Sequence, residues 1–408
     1  MELPITERRK NYKKNRILNI IRYSDAEISR FDIKKITEYS MTTVLNIVEE
    51  LLSDKLIYEN EPDMTHGRVG RRPTYLSLNP QGGYFIGLEF NIQKMYYTIL
   101  NFSGKVIYSN FLLLKNNITA KQILSNIYSC INECMDFLGS ERSKCLGIGI
   151  GLPGYIDSEK GVALHYAYLK DWNHIPITQQ IEKLYHLPCH ILNNSDCMVL
   201  AYKWLEFRGN SEDFVFISIR TGARAIPVLN NQPFFGKNGT AGELGHLPVS
   251  GNTKKCFCGK IGCLNTIISD FSIQQHLKEQ TSQGKFKALI DLAQQNPENL
   301  NSALLVHSAL NGDLEAISYL QELAFFLGHA LIPVVNLFAP QKIILSGELS
   351  KSGQIITAPL LKTIQNGAVK ANVNQLQILR SVYDDNIGAI GAAMLVLQKK
   401  YDITSTII

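Results

Sequence analysis

The chain has 408 residues, 45% hydrophobic and 19% charged, with a formal net charge of +5. That is ordinary globular composition for two or three domains, with ample length for large cores, and so mild a charge does not by itself mark a nucleic-acid binder. Eight cysteines in this length exclude a disulfide scaffold. The basic opening, MELPITERRKNYKKNRILNI, lacks the apolar stretch of a signal peptide, and no uninterrupted apolar run reaches the roughly 18 residues of a membrane span. The expectation is a soluble cytoplasmic protein with no membrane partner.

Residues 14–57 read as three short helices. Ile17, Leu18, Ile20 and Ile21 recur at helical spacing in the first. In the second, after Ser29, Phe31, Ile33 and Ile36 are placed to face inward. In the third, Val44, Ile47, Val48, Leu51 and Leu52 follow i, i+3, i+4, i+7, i+8 spacing, with Ser40 as N-cap. Two short helices joined by a tight turn make a helix-turn-helix, whose second helix offers its N-terminal residues to base edges. Here these are Met41, Thr42, Thr43 and Asn46. The flanking strands DKLIYENEP and RRPTYLSLN enclose MTHGRVGRRP, the tip of a wing. Arg68, Arg71 and Arg72 sit there, suited to phosphates or a narrow minor groove.

From Gly83 the texture changes to alternating strands and helices. A strand pair with a turn at Gly104 precedes a helical stretch over 120–138. CLGIGIGLPGYID is a buried strand ending in a Gly-Pro-Gly turn. CHILNNSDCMVLAYKWLE reads as strand, polar turn and helix. DFVFISIRTGARAIPVLNNQPFFG is a second strand pair, ALLVHSALNGDLEAISYLQELAFFLGHALIPVVNLFAP is helical, QKIILSGELS is a strand and GAIGAAMLVLQKK closes with a helix. Two βββα-like halves predict a two-lobed α/β protein with a ligand cleft. Cys130, Cys134, Cys145, Cys189 and Cys197 are scattered, as buried reduced thiols are. The 22 residues from Gly242 to Cys263, GELGHLPVSGNTKKCFCGKIGC, are different. A glutamate, a histidine and three cysteines so close together suit a redox site, a catalytic site or a metal-held loop.

The order of motifs resembles the ROK family of sugar repressors and sugar kinases, over nearly the whole chain. GTAGELGH followed by CFCGKIGC is similar to the family's zinc signature; GLPG at 151–154, LSGELS at 345–350 and GAIGAA at 388–393 fall where the family has similar segments. The resemblance implies an N-terminal winged helix-turn-helix over 1–78, then an actin-like, ribonuclease H-like body. Its first lobe is 79–190 plus 386–408 and its second lobe, with the zinc site, is 191–385. It implies zinc on His246, Cys256, Cys258 and Cys263. The chemistry agrees, since one imidazole and three soft thiolates complete a tetrahedral shell, and four protein ligands mark a structural site.

Three departures from the kinase pattern stand out. The first phosphate turn, D-x-G-G-T in the family, reads GLEFNIQK, with Asn91 and Ile92 replacing glycines. The second reads IRTGARAIP, with Arg224 at a glycine position. The family's general base falls at Asn194, and an amide does not take a proton near neutral pH. Asp196 replaces it only if the register slips. No ATP is expected. The resemblance places Gly154, Asn193, Asn194, Glu243 and His246 around a sugar, with Asn265 standing where the family has a glutamate. Arg220 and Arg224 raise a phosphorylated sugar as effector. The expected function is a sugar-responsive regulator, a repressor, that binds a double-stranded operator as a homodimer or dimer of dimers. The alternatives are an active sugar kinase with a fused helix-turn-helix, or a regulator controlled by a protein partner.

Overall fold

The structure, a computed structural model, describes residues 5–24, 27–60, 74–115, 118–207, 212–383 and 385–401. The chain divides into two compact units, Met1–Asn210 with Asn386–Ile408, and Ser211–Asp385.

The first unit opens with α1 (Ile5–Tyr23), longer than the sequence suggested, with Ile17, Leu18, Ile20 and Ile21 buried as expected. A short strand β1 (Ile28–Ser29) leads into α2 (Arg30–Thr37). Ser29 Oγ accepts from the Asp32 N–H, and the Asp32 carboxylate accepts from the Ser29 N–H, so two orphan donors are satisfied reciprocally. Glu38, in the left-handed region at φ 60°, ends α2 and turns the chain into α3 (Met41–Ser53). Ser40 caps α3 through the Thr43 N–H, and Val44, Ile47, Val48 and Leu51 are buried. Phe31 and Ile36 do not face inward: they are 55% and 47% exposed. A two-turn helix offers the core only an i, i+4 pair, here Ile33 and Thr37, and Lys35 Nζ stands 4.6 Å over the outward Phe31 ring. β2 (Ile57–Asn60) and β3 (Tyr75–Leu78) pair antiparallel, and β1 adds to the free edge of β3, giving a three-stranded sheet beside three helices. This is the winged-helix arrangement. Arg68, Arg71 and Arg72 lie outside the described residues.

The body of this unit starts as an antiparallel meander, β4 (Tyr84–Phe90), β5 (Lys94–Asn101) and β6 (Val106–Leu113). α4 (Ala120–Leu138) returns the chain to β7 (Cys145–Leu152), parallel to β4. A small sheet of β8 (Tyr155–Asp157), β9 (Val162–His165) and β10 (Asn173–Ile175) follows. Next come α5 (Ile177–Tyr185), β11 (Cys189–Asn193) and α6 (Asn194–Phe207). The sheet order is β11-β7-β4-β5-β6. The lobe boundary expected at residue 191 therefore moves to Ser211, because β11 hydrogen-bonds along β7 through Asn193 and α6 belongs to the same unit. No polar turn separates β11 from α6; the residues NNSD form the strand end and the first helical turn, and all four are buried.

The second unit repeats the plan. β12 (Phe214–Ile219), β13 (Ala223–Leu229) and β14 (Gln232–Pro233) form an antiparallel meander. After α7 (Asn265–Ile268), α8 (Asp270–Ser282), α9 (Lys287–Leu292), α10 (Ser302–Leu310) and α11 (Leu314–Phe338), β15 (Lys342–Ser346) pairs parallel to β12. α12 (Gln354–Gly367) and α13 (Lys370–Val373) lead to β16 (Gln377–Arg380), parallel to β15. α11 is long and apolar enough to cross a membrane by length and composition, but half of it is buried inside the protein. Leu320, Leu323, Leu327 and Leu331 from it fill the core of this unit.

The chain then returns to the first unit as α14 (Ile387–Tyr401). Its GAIGAA start is explained by backbone contact. A Cβ on Gly149 of β7 would overlap the Ala392 carbonyl, and one on Gly391 would overlap the Cys197 carbonyl of α6. Small residues on both sides let α14 lie directly on the sheet and on α6.

Candidate functional site

The loop after β14 is built around four soft donors. The ligand atoms of His246, Cys256, Cys258 and Cys263 lie within 4.8 Å of one another, so these residues could hold one metal ion. The Sγ atoms of Cys258 and Cys263 are 3.6 Å apart, far beyond the roughly 2.05 Å of a disulfide. Local backbone pairing makes the knuckle. Cys256 N–H donates to the Lys260 carbonyl, Gly259 N–H to the Cys256 carbonyl, and Val249 N–H to the Gly262 carbonyl. Gly259 and Gly262 sit at φ 88° and 84°, where a side chain would be strained. Hydrogen bonding from the Lys260 backbone N–H pulls the Cys258 thiol down, whereas burial pushes Cys263 up to about 12. A bound cation would favour the thiolate at both.

His246 is shared between this knuckle and its neighbour. Its Nδ1 is 3.7 Å from Cys256 Sγ, and its Nε2 is 3.8 Å from Glu243 Oε2. Glu243 Oε1 in turn is 3.8 Å from Arg224 Nε. Arg224 is only 8% exposed, and its Nη2 donates to the Gly239 and Ala241 carbonyls at 3.1 and 2.6 Å. Sequence reasoning offered Arg224 as an attraction for a phosphate. Instead it ties the 239–243 loop to β13 and lies beside Glu243. Asn265 completes the group. Its Oδ1 accepts from the Ala223 N–H at 2.8 Å, and its carboxamide fills the space next to Gly222 and Gly245. A Cβ on Gly245 would overlap it.

The first unit holds a second polar cluster. Asn193 Nδ2 donates to the Gly154 carbonyl at 3.1 Å, and Asn194 Nδ2 to Glu89 Oε1 at 3.4 Å. Both amide oxygens accept from the Ser195 N–H. Gly154 has φ 79°, and a Cβ there would overlap the His165 carbonyl, so glycine is required. Glu89 and Asp196 are fully buried, and Gly388 of α14 packs on the Glu89 side chain. Burial, followed by the charges of Asp196 and Glu89, raises the Cys197 thiol well above its usual range.

The two turns that the kinase pattern assigns to phosphate are each closed by hydrogen bonds. Asn91 Oδ1 accepts from the Gln93 and Lys94 N–H groups at 2.8 Å each, sealing the β4–β5 hairpin with a side chain. The β12–β13 turn is closed by the Arg220 N–H on the Gly222 carbonyl, with Arg224 turned into the loop as described.

On α3, Met41, Thr42 and Asn46 are exposed and Thr43 is half-buried, its hydroxyl 2.8 Å from Ser40 Oγ. Leu45 shares this exposed face. Its i+4 relation to Met41 puts it on that face and is legible in the sequence. A residue of this kind suits a thymine methyl.

Residues 85–399 match the ROK family. The xylose repressor of Caldicellulosiruptor bescii is 27% identical over 370 residues, which cover 91% of this chain and 92% of that protein. A solved structure described as a ROK family transcriptional regulator, homologue of the E. coli MLC protein, is similar with a TM-score of 0.83 and 25% identity, covering 97% of each chain. A ROK family glucokinase from Streptomyces griseus, in complex with glucose and AMPPNP, shares the fold with a TM-score of 0.68 at 22% identity; the match covers all of the kinase and 78% of this chain.

Proposed function

The chain belongs to the ROK family, and from that premise we propose that it is a sugar-responsive DNA-binding transcriptional repressor whose kinase-like body no longer transfers phosphate. The observation that carries this reading is the winged-helix head ahead of the family body. A repressor matches 91% of the chain, whereas a kinase of the same fold matches 78%.

The loss of catalysis is supported by the residues. A kinase must cradle phosphates on bare backbone and remove a proton from the sugar hydroxyl. Here the Asn91 side chain closes one turn, the Arg220 N–H on the Gly222 carbonyl closes the other, and the base position is Asn194. Asp196, two residues on, is fully buried within α6. ATP has no evident cradle.

The proposed metal is zinc. Tetrahedral Zn–S bonds of about 2.3 Å put sulfurs roughly 3.8 Å apart, close to the 3.6 Å between Cys258 and Cys263. His246 would bind through Nδ1 and direct Nε2 toward Glu243, a carboxylate–histidine–metal relay that fixes the ring. With four protein ligands the ion is structural. It anchors the segment that carries Glu243.

The proposed sugar contacts are Gly154, Asn193, Asn194, Glu243, His246 and Asn265. Amides and a carboxylate supply donors and acceptors for vicinal hydroxyls. Asn265 Oδ1 is committed to Ala223, so that residue would offer its Nδ2 donors. The proposed DNA contacts are Met41, Thr42, Thr43 and Asn46 with Leu45, and Arg68, Arg71 and Arg72 of the wing. A cytoplasmic homodimer, or dimer of dimers, would span two half-sites.

The test uses a duplex selected from a random pool by the protein. Its fluorescence anisotropy is followed while free and phosphorylated monosaccharides are added, alongside a coupled assay for ATP turnover. Release by one sugar without ATP turnover is the expected result. Turnover with that sugar would establish the kinase reading, and an operator indifferent to every sugar would point to control by a protein partner.

A further inference from the structure

The end of α1 is fastened to the body by a buried cation. The Arg22 guanidinium is buried, and Nη1 donates to the Phe102 carbonyl at 2.6 Å. It stands 5.0 Å from the Phe102 ring centroid and 5.9 Å from that of Trp204. Beside it, Tyr23 packs on Trp204 with centroids 5.4 Å apart, and Asn19 Nδ2 donates to the Tyr401 carbonyl. Tyr401 meets Phe102 edge-on at 5.3 Å. Gly104, at φ 82°, leaves the room that the Trp204 indole fills. Four segments of chain thus converge on one aromatic box: the last turn of α1, the residues after β5, and the C-terminal ends of α6 and α14.

The other ends of α6 and α14 lie at the polar cluster. Asn194, the first residue of α6, donates to Glu89, and Gly388, at the start of α14, packs on Glu89. The two helices run side by side in the same direction, in backbone contact at Gly391 and Cys197. Ten residues of helix separate Asn194 from Trp204, about 15 Å at 1.5 Å per residue. A close-packed helix pair of this kind has low compressibility and transmits strain along its length.

A guanidinium loses hydration on burial, which pulls Arg22 down to about 10, and it regains that hydration when the joint opens. Cation–π contact and one hydrogen bond hold it by directional contacts that a small shift of the indole weakens. We infer that Arg22 is a releasable latch between the DNA-binding head and the body, and that Trp204 reports to it the state of the Asn194 end of α6. This rests on the repressor reading above and adds the residues through which sugar occupancy would reach the operator.

The latch is tested on the full-length protein with Arg22→Met, which keeps the volume, and Trp204→Leu, which removes the ring. Hydrogen exchange is measured first, without sugar or DNA. Amides of α1 from Ile17 to Tyr23 should exchange at least about 10-fold faster in either variant, with β7 amides unchanged. Operator anisotropy is then measured with and without D-xylose, D-glucose or N-acetyl-D-glucosamine, using whichever raises the wild-type melting temperature. Both variants should still bind that sugar, with a Kd equal to or tighter than the wild type's because the latch no longer opposes the bound state, while its effect on operator affinity falls from the wild-type factor to below about 2-fold. Trp204→Phe should retain most of the effect. Unchanged exchange in α1, or an undiminished sugar effect in Arg22→Met, overturns the latch. A wild type that shows no sugar effect sinks the repressor reading instead, and the latch is then decided by exchange alone. Should Trp204→Leu loosen β7 as well, Arg22→Met decides from the head side.

Discussion

Cys256, Cys258, Cys263 and His246 were legible because ligand spacing is a local property of sequence, and the structure brings all four together. Arg224 was not, because which way a strand residue points depends on the loop it meets. Removing a ligand should show in stability: Cys256→Ala, or chelation of the wild type, is expected to lower Tm by about 5–10 °C, since ~1 kcal/mol moves a unit of this size by about 2–4 °C. Equal melting with and without chelator would mean that no structural metal is held. Asn265 makes a sharper prediction. Gly245→Ala should cost about 2–3 kcal/mol by overpacking against it, and adding Asn265→Ala should recover part of that loss. Additive effects in denaturant titrations would show that the two do not touch. His276 adds a pH dependence. It stacks on Tyr319 at 4.3 Å, and burial, followed by the charge of Lys254 and opposed by Glu322, holds it below its usual value of 6.5. The native state therefore binds fewer protons than the unfolded chain just below that value. Stability is full above about pH 6.5 and falls with pH beneath it. His276→Phe keeps the stack, so its melting curve should lose less than the wild type between about pH 7 and 5.5.

At the scale of elements, capping and periodicity located α3 and its buried face from sequence. The same rules misplaced Phe31 and Ile36, because an apolar residue on a two-turn helix has no guarantee of a partner. Caps give a direct check. Ser29→Ala dismantles the α2 capping box and should cost about 1 kcal/mol, with a matching loss of operator affinity because α2 supports α3; unaltered melting would show the box to be idle. The junction of β11 and α6 was read as a turn because its residues are polar. Strand pairing with β7 and burial against Glu89 override that composition. The glycines of α14 are read correctly only in three dimensions. Gly391→Ala should cost at least about 3 kcal/mol, as the obstacle is the Cys197 carbonyl, which has no rotamer to escape into.

At the scale of the whole molecule, the two repeated βββα halves were visible in the strand and helix order, but the division between them was not. The cut falls at Ser211 because sheet pairing, which is non-local, assigns β11 and α6 to the first unit. On the reading proposed above, a sugar held by the body acts by changing how the winged-helix head meets DNA. Binding linkage makes this testable without naming the target genes. Titration calorimetry of the effector sugar into the protein, free and saturated with its selected operator duplex, compares the two affinities. The expected result is a Kd for sugar weakened by the operator by the same factor, about 5-fold or more, by which sugar weakens operator binding. An identical Kd with and without the operator would contradict the account.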